Sequence, residues 1–209
     1  LHLSLRRQRQ MCIRDRTMGE SIIAINEYTD GDAIIVTDVG QHQMVACRYA
    51  NFVKSKSNIT SGGLGTMGFA LPAAMGAKMC ALNREVVAVI GDGGYQMTIQ
   101  ELGTIFQLQI PVKIVILNND FLGMVRQWQQ LFFDKRYAST EMVNPDFVAI
   151  AKGYYLDSER VKDRKDLKPA VERMIKSKKP YVLEICVEKE NNVFPMIPSG
   201  ASVSDIRLN

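Results

Sequence analysis

Residues 86–119 read VVAVIGDGGYQMTIQELGTIFQLQIPVKIVILNN, and this stretch decides the fold. An apolar run from Val86 to Ile90 gives way to Gly91-Asp92-Gly93-Gly94. A helical segment is predicted from Met97 to Gln107, and a second apolar run, KIVIL, closes on Asn118-Asn119. Continuous β-branched runs suit strands buried on both faces, and the helix between them supplies the crossover that a parallel pair requires.

The same alternation extends in both directions. From Thr17, MGESIIAINEYTDGD carries Ile22, Ile23 and Ile25 at helical spacing until Gly31 breaks it, and the apolar run AIIVTD follows as a buried strand. GQHQMVACRYA reads as a helix, a short turn leads into NITSGG, and a further helix is expected from Met67 to Met79. Beyond Asn119 the pattern predicts a helix containing Met124 and Trp128. Next come a short helix through Ala151 with Pro145 in its first turn, a helix around Leu167 to Ile175, and a last strand, YVLEICV. This order specifies an α/β fold of three layers, a mostly parallel sheet with helices on both faces. Neither repeats nor low-complexity linkers interrupt it, so residues 17–209 are expected to form one domain.

Residues 1–16, LHLSLRRQRQMCIRDR, lack the apolar core and cleavage site of a secretory signal and are read as a non-native or disordered tail, with a transit peptide as the alternative. The net charge of +4 is concentrated in Arg6, Arg7, Arg9, Arg14 and Arg16 and in Lys176, Lys178 and Lys179. No aromatics or reading motifs accompany these clusters, so neither nucleic acid nor a membrane is an expected partner. Cys12, Cys47, Cys80 and Cys186 lack paired spacing, which argues against a disulfide framework or zinc site and for a reducing, cytoplasmic compartment.

In parallel sheets, ligands sit beyond the carboxyl ends of the strands. Four loops are therefore expected to meet there: Asp38-Val39-Gly40-Gln41-His42, Ser61-Gly62-Gly63-Leu64-Gly65, Gly91-Asp92-Gly93-Gly94 and Asn118-Asn119. Asp92, flanked by glycines that let a backbone approach a phosphate, offers a carboxylate to a hard cation, and Asn119 offers a neutral oxygen from the next strand. Taken singly, these could be a tight turn and the start of a helix. A competing motif, Gly63-Leu64-Gly65-Thr66-Met67-Gly68, fits a dinucleotide fingerprint with Asp92 at the ribose position. It follows SNITS, however, which is too polar and short for a good buried strand.

The span from Gly-Asp-Gly at residue 91 to Asn-Asn at residue 119 resembles the long signature of thiamine-diphosphate enzymes. SGGLGTMGFALPAAMGAK, NNDFLGMVRQWQQLFFDKRY and VFPMIPSGAS are similar to the acetolactate synthase large-subunit family in particular, over essentially Thr17 to the C-terminus. The resemblance implies the thiamine-diphosphate-binding fold and the C-terminal third of a catalytic subunit. It implies Asp92, Asn119 and the backbone carbonyl of Phe121 as magnesium ligands. Val39, Gly40, Gln41, His42, Gly91, Gly93 and Gly94 would surround the diphosphate, with a structural role as the alternative for His42. Gly65 would face the aminopyrimidine, Met67 would lie beneath the bent cofactor, and Met124 and Trp128 would face the substrate pocket, core packing being the alternative for this pair.

The implied reaction decarboxylates pyruvate and joins the two-carbon unit to a second 2-keto acid, pyruvate or 2-ketobutyrate, on the way to branched-chain amino acids. No residue here is assigned as catalytic with certainty. The activating glutamate would come from an N-terminal domain of a partner subunit and FAD from a middle domain, neither of which fits in this chain. Glu101 and Glu141 match neither role, so the chain alone is expected to turn over near background. The full-length subunit would form homodimers or homotetramers and could take a small regulatory subunit. Another thiamine-dependent decarboxylase or oxidase, or a non-catalytic binding relic, remains the alternative.

Overall fold

Thr17 sets the start of helix α1 (Met18–Thr29): its hydroxyl accepts from the Glu20 amide at 3.3 Å, and Glu20 accepts from the Thr17 amide at 3.4 Å. This capping box satisfies amides that the first helical turn leaves unpaired. The chain continues through β1 (Ile34–Thr37), α2 (Gln41–Tyr49), β2 (Asn58–Thr60), α3 (Ala70–Cys80), β3 (Val86–Gly91), α4 (Asp92–Met97), α5 (Glu101–Leu108), β4 (Lys113–Asn118), α6 (Gly123–Phe132), α7 (Phe147–Gly153), β5 (Asp157–Val161), α8 (Arg164–Lys176) and β6 (Tyr181–Cys186). A 3-10 turn, Val203–Asp205, lies near the end. This computed structural model describes residues 17–198 and 200–208; the tail reading for residues 1–16 lies outside the described residues.

Six strands form one sheet in the order β2-β1-β3-β4-β6-β5, and every neighbouring pair is parallel. The two-residue period of a strand divides its side chains between two cores. Ile35, Val87, Val89, Val115 and Leu117 point to one face, where they meet Ile22 and Ile25 of α1, Val45 of α2, and Leu167 and Val171 of α8. Ile34, Val36, Ala88, Ile90, Ile114 and Ile116 point to the other, against Leu71 of α3, Leu102 and Ile105 of α5, and Phe147 of α7. The expected three-layer α/β architecture is thus present. Burying an isoleucine, valine or leucine side chain in either core contributes roughly 1.5–3 kcal/mol before conformational entropy is set against it.

Several boundaries differ from the sequence-based expectation. NITSGG, too polar and short to be expected as a good buried strand, holds the edge strand β2, and DSERV forms the unexpected strand β5 at the opposite edge. The polar Asp157, Ser158, Glu159 and Arg160 disguise that strand and suit a sheet edge. The helix expected from Met67 starts only at Ala70, because the Asp38 carboxylate takes the amides of Gly68 and Ala70 and Gly68 adopts φ +84°. Residues 92–94, expected as a loop, open helix α4. The single helix expected from Met97 to Gln107 is divided at residues 98–100, where Thr98 Oγ1 bonds to the Gly68 carbonyl at 3.0 Å. Pro145 precedes α7, whose cap is Asp146, accepting from the Ala149 amide at 3.0 Å.

Two glycines make opposite tests of this packing. A Cβ at Gly94 would stand 1.8 Å from Asp38 Oδ2, whereas a Cβ at exposed Gly76, inside α3, meets nothing within 4 Å. Gly94→Ala should destabilise by at least about 1–3 kcal/mol through overpacking, and Gly76→Ala should stabilise by about 0.5–1 kcal/mol through helix propensity. Urea unfolding of both variants checks the pair. Equal midpoints would contradict the close approach at Gly94.

Candidate functional site

The chain leaves β1 toward β2 on one side and returns to place β3 on the other, so the strand order reverses between β1 and β3. At such a reversal the loops diverge and leave a crevice at the carboxyl ends of the strands. A cleft lies there. Val39, Gly40, Gln41 and His42 reach it from the end of β1, Met67 from the loop before α3, and Gly91, Asp92, Gly93 and Gly94 from the β3–α4 junction. Leu117 comes from β4, Asn119, Phe121 and Leu122 from the loop after it, and Gly123, Met124 and Val125 from the start of α6, with Met18 of α1 on one side.

Two expected site residues fall elsewhere. Gly65, at φ +62°, is exposed and does not line the cleft; a Cβ built on it would meet Val39 Cγ1 at 3.9 Å. Met124 enters the cleft, but Trp128 lines a neighbouring open depression with Val125, Gln129, Phe133 and Arg136 and packs on Phe132 at 4.9 Å between ring centroids. Four residues bring a helical side chain back to the same face about 6 Å farther along the axis, which carries Trp128 past the rim. Glu101 and Glu141 line no part of the cleft; the Glu141 backbone pairs instead with Phe121 in an antiparallel bridge.

The floor of the cleft tolerates no side chains. A Cβ at Gly91 would lie 2.9 Å from His42 Nδ1, one at Gly93 2.6 Å from Leu122 Cδ2, and one at Gly123 2.2 Å from Gln41 Oε1. Gly40 takes φ +150° and ψ −162°, a conformation essentially restricted to glycine. Behind this floor the fully buried Asp38 accepts from the Gly68 amide at 3.1 Å and the Ala70 amide at 3.3 Å. Burial raises its carboxyl pKa, an effect that the amides of Gly68 and Ala70 partly offset. Asp38 thereby fastens the end of β1 to the loop that carries Met67.

Two buried titratable groups face the cleft. His42 Nε2 is buried without a hydrogen bond, and desolvation pushes the ring down to about 4, so the imidazole is neutral near pH 7. Asp92 is 1% exposed, and its carboxyl is pushed up to about 6, chiefly by burial and further by the negative charge of Asp120. Its Oδ1 accepts from the Gly93 amide at 3.1 Å and its Oδ2 from Asn144 Nδ2 at 2.7 Å. Asn119 Oδ1 accepts from the Phe121 amide at 3.3 Å.

Asn144 escaped the sequence reading. Its amide nitrogen also lies 3.0 Å from Asn118 Oδ1 and 3.2 Å from Asp120 Oδ1, while its oxygen accepts from Gln96 at 3.0 Å. Asn118 in turn donates to the buried Glu184 at 2.8 Å, which Arg160 pairs at 2.6 Å. Only the Asn-Pro step at residue 144, an ordinary turn signal, marks this position in the sequence.

The His42 ring gives a pH test with a defined sign. Its folded-state pKa lies below the unfolded value of 6.5, so the unfolded chain takes up the proton first as pH falls. Stability is therefore lost from about pH 6.5 down to about pH 4 and is unaffected above that window. Relative to His42→Gln, the wild type should lose on the order of 3 kcal/mol across it, read from denaturant midpoints at each pH. Parallel curves for the two proteins would show that the ring is not buried neutral.

Residues 38–185 match the family described as thiamine pyrophosphate enzyme, C-terminal TPP binding domain. The acetolactate synthase isozyme 2 large subunit of Escherichia coli (strain K12) is 43% identical over 183 residues, covering 87% of this chain and 33% of the relative. The acetolactate synthase large subunit of Lactococcus lactis is 44% identical over 182 residues, covering 87% and 32% respectively. Acetolactate synthase 1, chloroplastic, of Oryza sativa is 40% identical over 216 residues, covering 97% and 34%. The chain spans about a third of the length of these relatives. The family match begins at Asp38 and ends in β6, taking in the reversal of strand order, the glycine floor, Asp92 and Asn119, and the chain accordingly belongs to the C-terminal TPP-binding domain family of thiamine pyrophosphate enzymes.

Proposed function

We propose that this chain, from residue 17 to 209, is the thiamine-diphosphate- and magnesium-binding portion of an acetolactate synthase catalytic subunit. The observation that carries the reading is a single cleft in which a buried carboxylate, a buried unpartnered imidazole nitrogen and bare glycine backbone face one another. A diphosphate with a hard cation answers all three: the cation favours the charged form of Asp92, and the diphosphate accepts from a neutral histidine and fits against backbone.

Asp92, Asn119 and the Phe121 carbonyl would hold magnesium. Among the described residues no three His, Cys, Asp or Glu side chains gather at a metal-sized site. An ion here would therefore draw on one carboxylate, neutral oxygens and the diphosphate itself, a mix that magnesium accepts. Val39, Gly40, Gln41, His42, Gly91, Gly93 and Gly94 would receive the diphosphate, His42 donating from Nε2 as a neutral ring. Gly65 would present its carbonyl to the aminopyrimidine, and Met67 would support the cofactor from below. Thiamine diphosphate, when bound, supplies the electron sink that decarboxylation of a 2-keto acid requires.

Met67, Leu122, Met124 and Val125 give the cleft apolar walls. Trp128, one turn beyond Met124, would meet the second keto acid, pyruvate or 2-ketobutyrate, from the neighbouring depression. The activating glutamate and the FAD site are assigned to other domains of the full-length subunit, acting in a homodimer or homotetramer with a small regulatory subunit as a further partner. No helix among the described residues is long and apolar enough to cross a membrane. Cys47 and Cys80 carry free thiols, which favours a reducing, cytoplasmic setting.

Calorimetry should show thiamine diphosphate binding only when magnesium is present. Asp92→Ala should abolish it, and acetolactate formation by this chain alone should stay near background. Binding that is indifferent to magnesium or to Asp92→Ala would contradict the assignment.

A further inference from the structure

Gln127 of α6 is fully buried, lines no part of the cleft, and has its hydrogen-bonding atoms engaged. Its Oε1 accepts from Gln41 Nε2 at 2.9 Å and from the Val193 amide at 2.9 Å. Its Nε2 donates to the Val193 carbonyl at 3.1 Å and lies 3.3 Å from Met196 Sδ. With donors and acceptors on both flanks, only one orientation of this amide satisfies its neighbours.

That orientation is passed to Gln41. The Gln41 Nε2 is shared between Gln127 and the Asn191 carbonyl, at 3.1 Å, which turns Gln41 Oε1 toward Asn119 Nδ2 at 3.5 Å. Gly123 leaves the space for this meeting: a Cβ there would come 2.2 Å from Gln41 Oε1 and 2.9 Å from Asn119 Nδ2. A primary amide places its oxygen opposite its nitrogen. Holding Asn119 Nδ2 against Gln41 therefore leaves Oδ1, the atom suited to a hard cation, on the far side.

We propose that Gln127 is a positioning residue that, through Gln41, sets the Asn119 amide with its oxygen presented to magnesium. The proposal rests on the reading of Asn119 as a magnesium ligand. Gln127 touches neither metal nor cofactor. Without it, Gln41 is oriented by the Asn191 carbonyl alone, and the Asn119 amide is left with the Phe121 amide on Oδ1 as its one firm restraint. Contacts that orient a metal ligand from behind typically contribute about 10–100-fold to metal affinity.

The test is a double-mutant cycle read by calorimetric titration of magnesium into the chain with saturating thiamine diphosphate, alongside thermal melting. Gln127→Met and Gln41→Met should each weaken magnesium by roughly 10–100-fold. The double variant should bind no more weakly than the weaker single one, because both remove the same link. Melting temperatures should not show this redundancy, since Gln127 also holds Val193 and Met196. Wild-type magnesium affinity in Gln127→Met, or losses that multiply in the double variant, would overturn the positioning role.

Gln127→Glu keeps an oxygen facing Gln41 and changes the atom facing the Val193 carbonyl. It should melt lower yet bind magnesium close to the wild type, which keeps the test decisive where Gln127→Met does not fold. A Gln127→Glu protein that folds and has lost magnesium would overturn the proposal. No binding by the unaltered chain would overturn the metal reading of Asn119 and the positioning role together.

Discussion

The Asp38 carboxylate is the contact on which the rest of the site depends. It sits at the end of β1, where strand order reverses, and its two oxygens take the amides of Gly68 and Ala70. That pair of bonds caps α3, holds the Met67 loop across the crevice and leaves no room for a side chain at Gly94. The cost is a buried carboxylate, tolerated because charge-assisted bonds to backbone amides stabilise it. With the two sides of the reversal joined, the loops after β1, β3 and β4 share one cleft.

Around that cleft the polar groups form two sets. Asn144, Asn118, Glu184 and Arg160 form a hydrogen-bonded chain from Asp92 out to the β5 edge of the sheet. Gln127, Gln41 and Asn191 form another, on the side of the segment that follows β6. In both sets the members nearest the cleft are primary amides, Asn144 and Asn118 in one and Gln41 and Gln127 in the other. They carry donors and acceptors without charge, so they can be buried beside an ion site without competing for the ion. Asp120 is held outside this core by Lys189 at 2.9 Å, with its backbone at φ +55°.

The central strands were legible because β1, β3, β4 and β6 are apolar runs with no solvent face. The edge strands β2 and β5 were not, since a strand with one exposed side and polar residues reads like a loop. Gly-Asp-Gly-Gly reads as a loop by propensity, yet burial and packing against Asp38 and Leu122 make it the first turn of α4. Asp92, Asn119, His42 and Met67 could be located because each follows or faces a strand end. Trp128 was displaced by one helical turn that spacing alone does not resolve. Asn144 and Gln127 were invisible, because their significance comes from hydrogen bonds to residues distant in sequence and from no local pattern.

Manganese substituted for magnesium, with thiamine diphosphate present, allows the site to be located by paramagnetic broadening of amide signals. The side-chain amide of Asn119 and the backbone amides of Gly93 and Phe121 should broaden first. Lys113, at the far end of β4 and about 16 Å from Asn118 along the strand, should stay sharp. Broadening centred on any other part of the fold, or broadening at Asn119 that is independent of thiamine diphosphate, would contradict a cation-bridged diphosphate in this cleft.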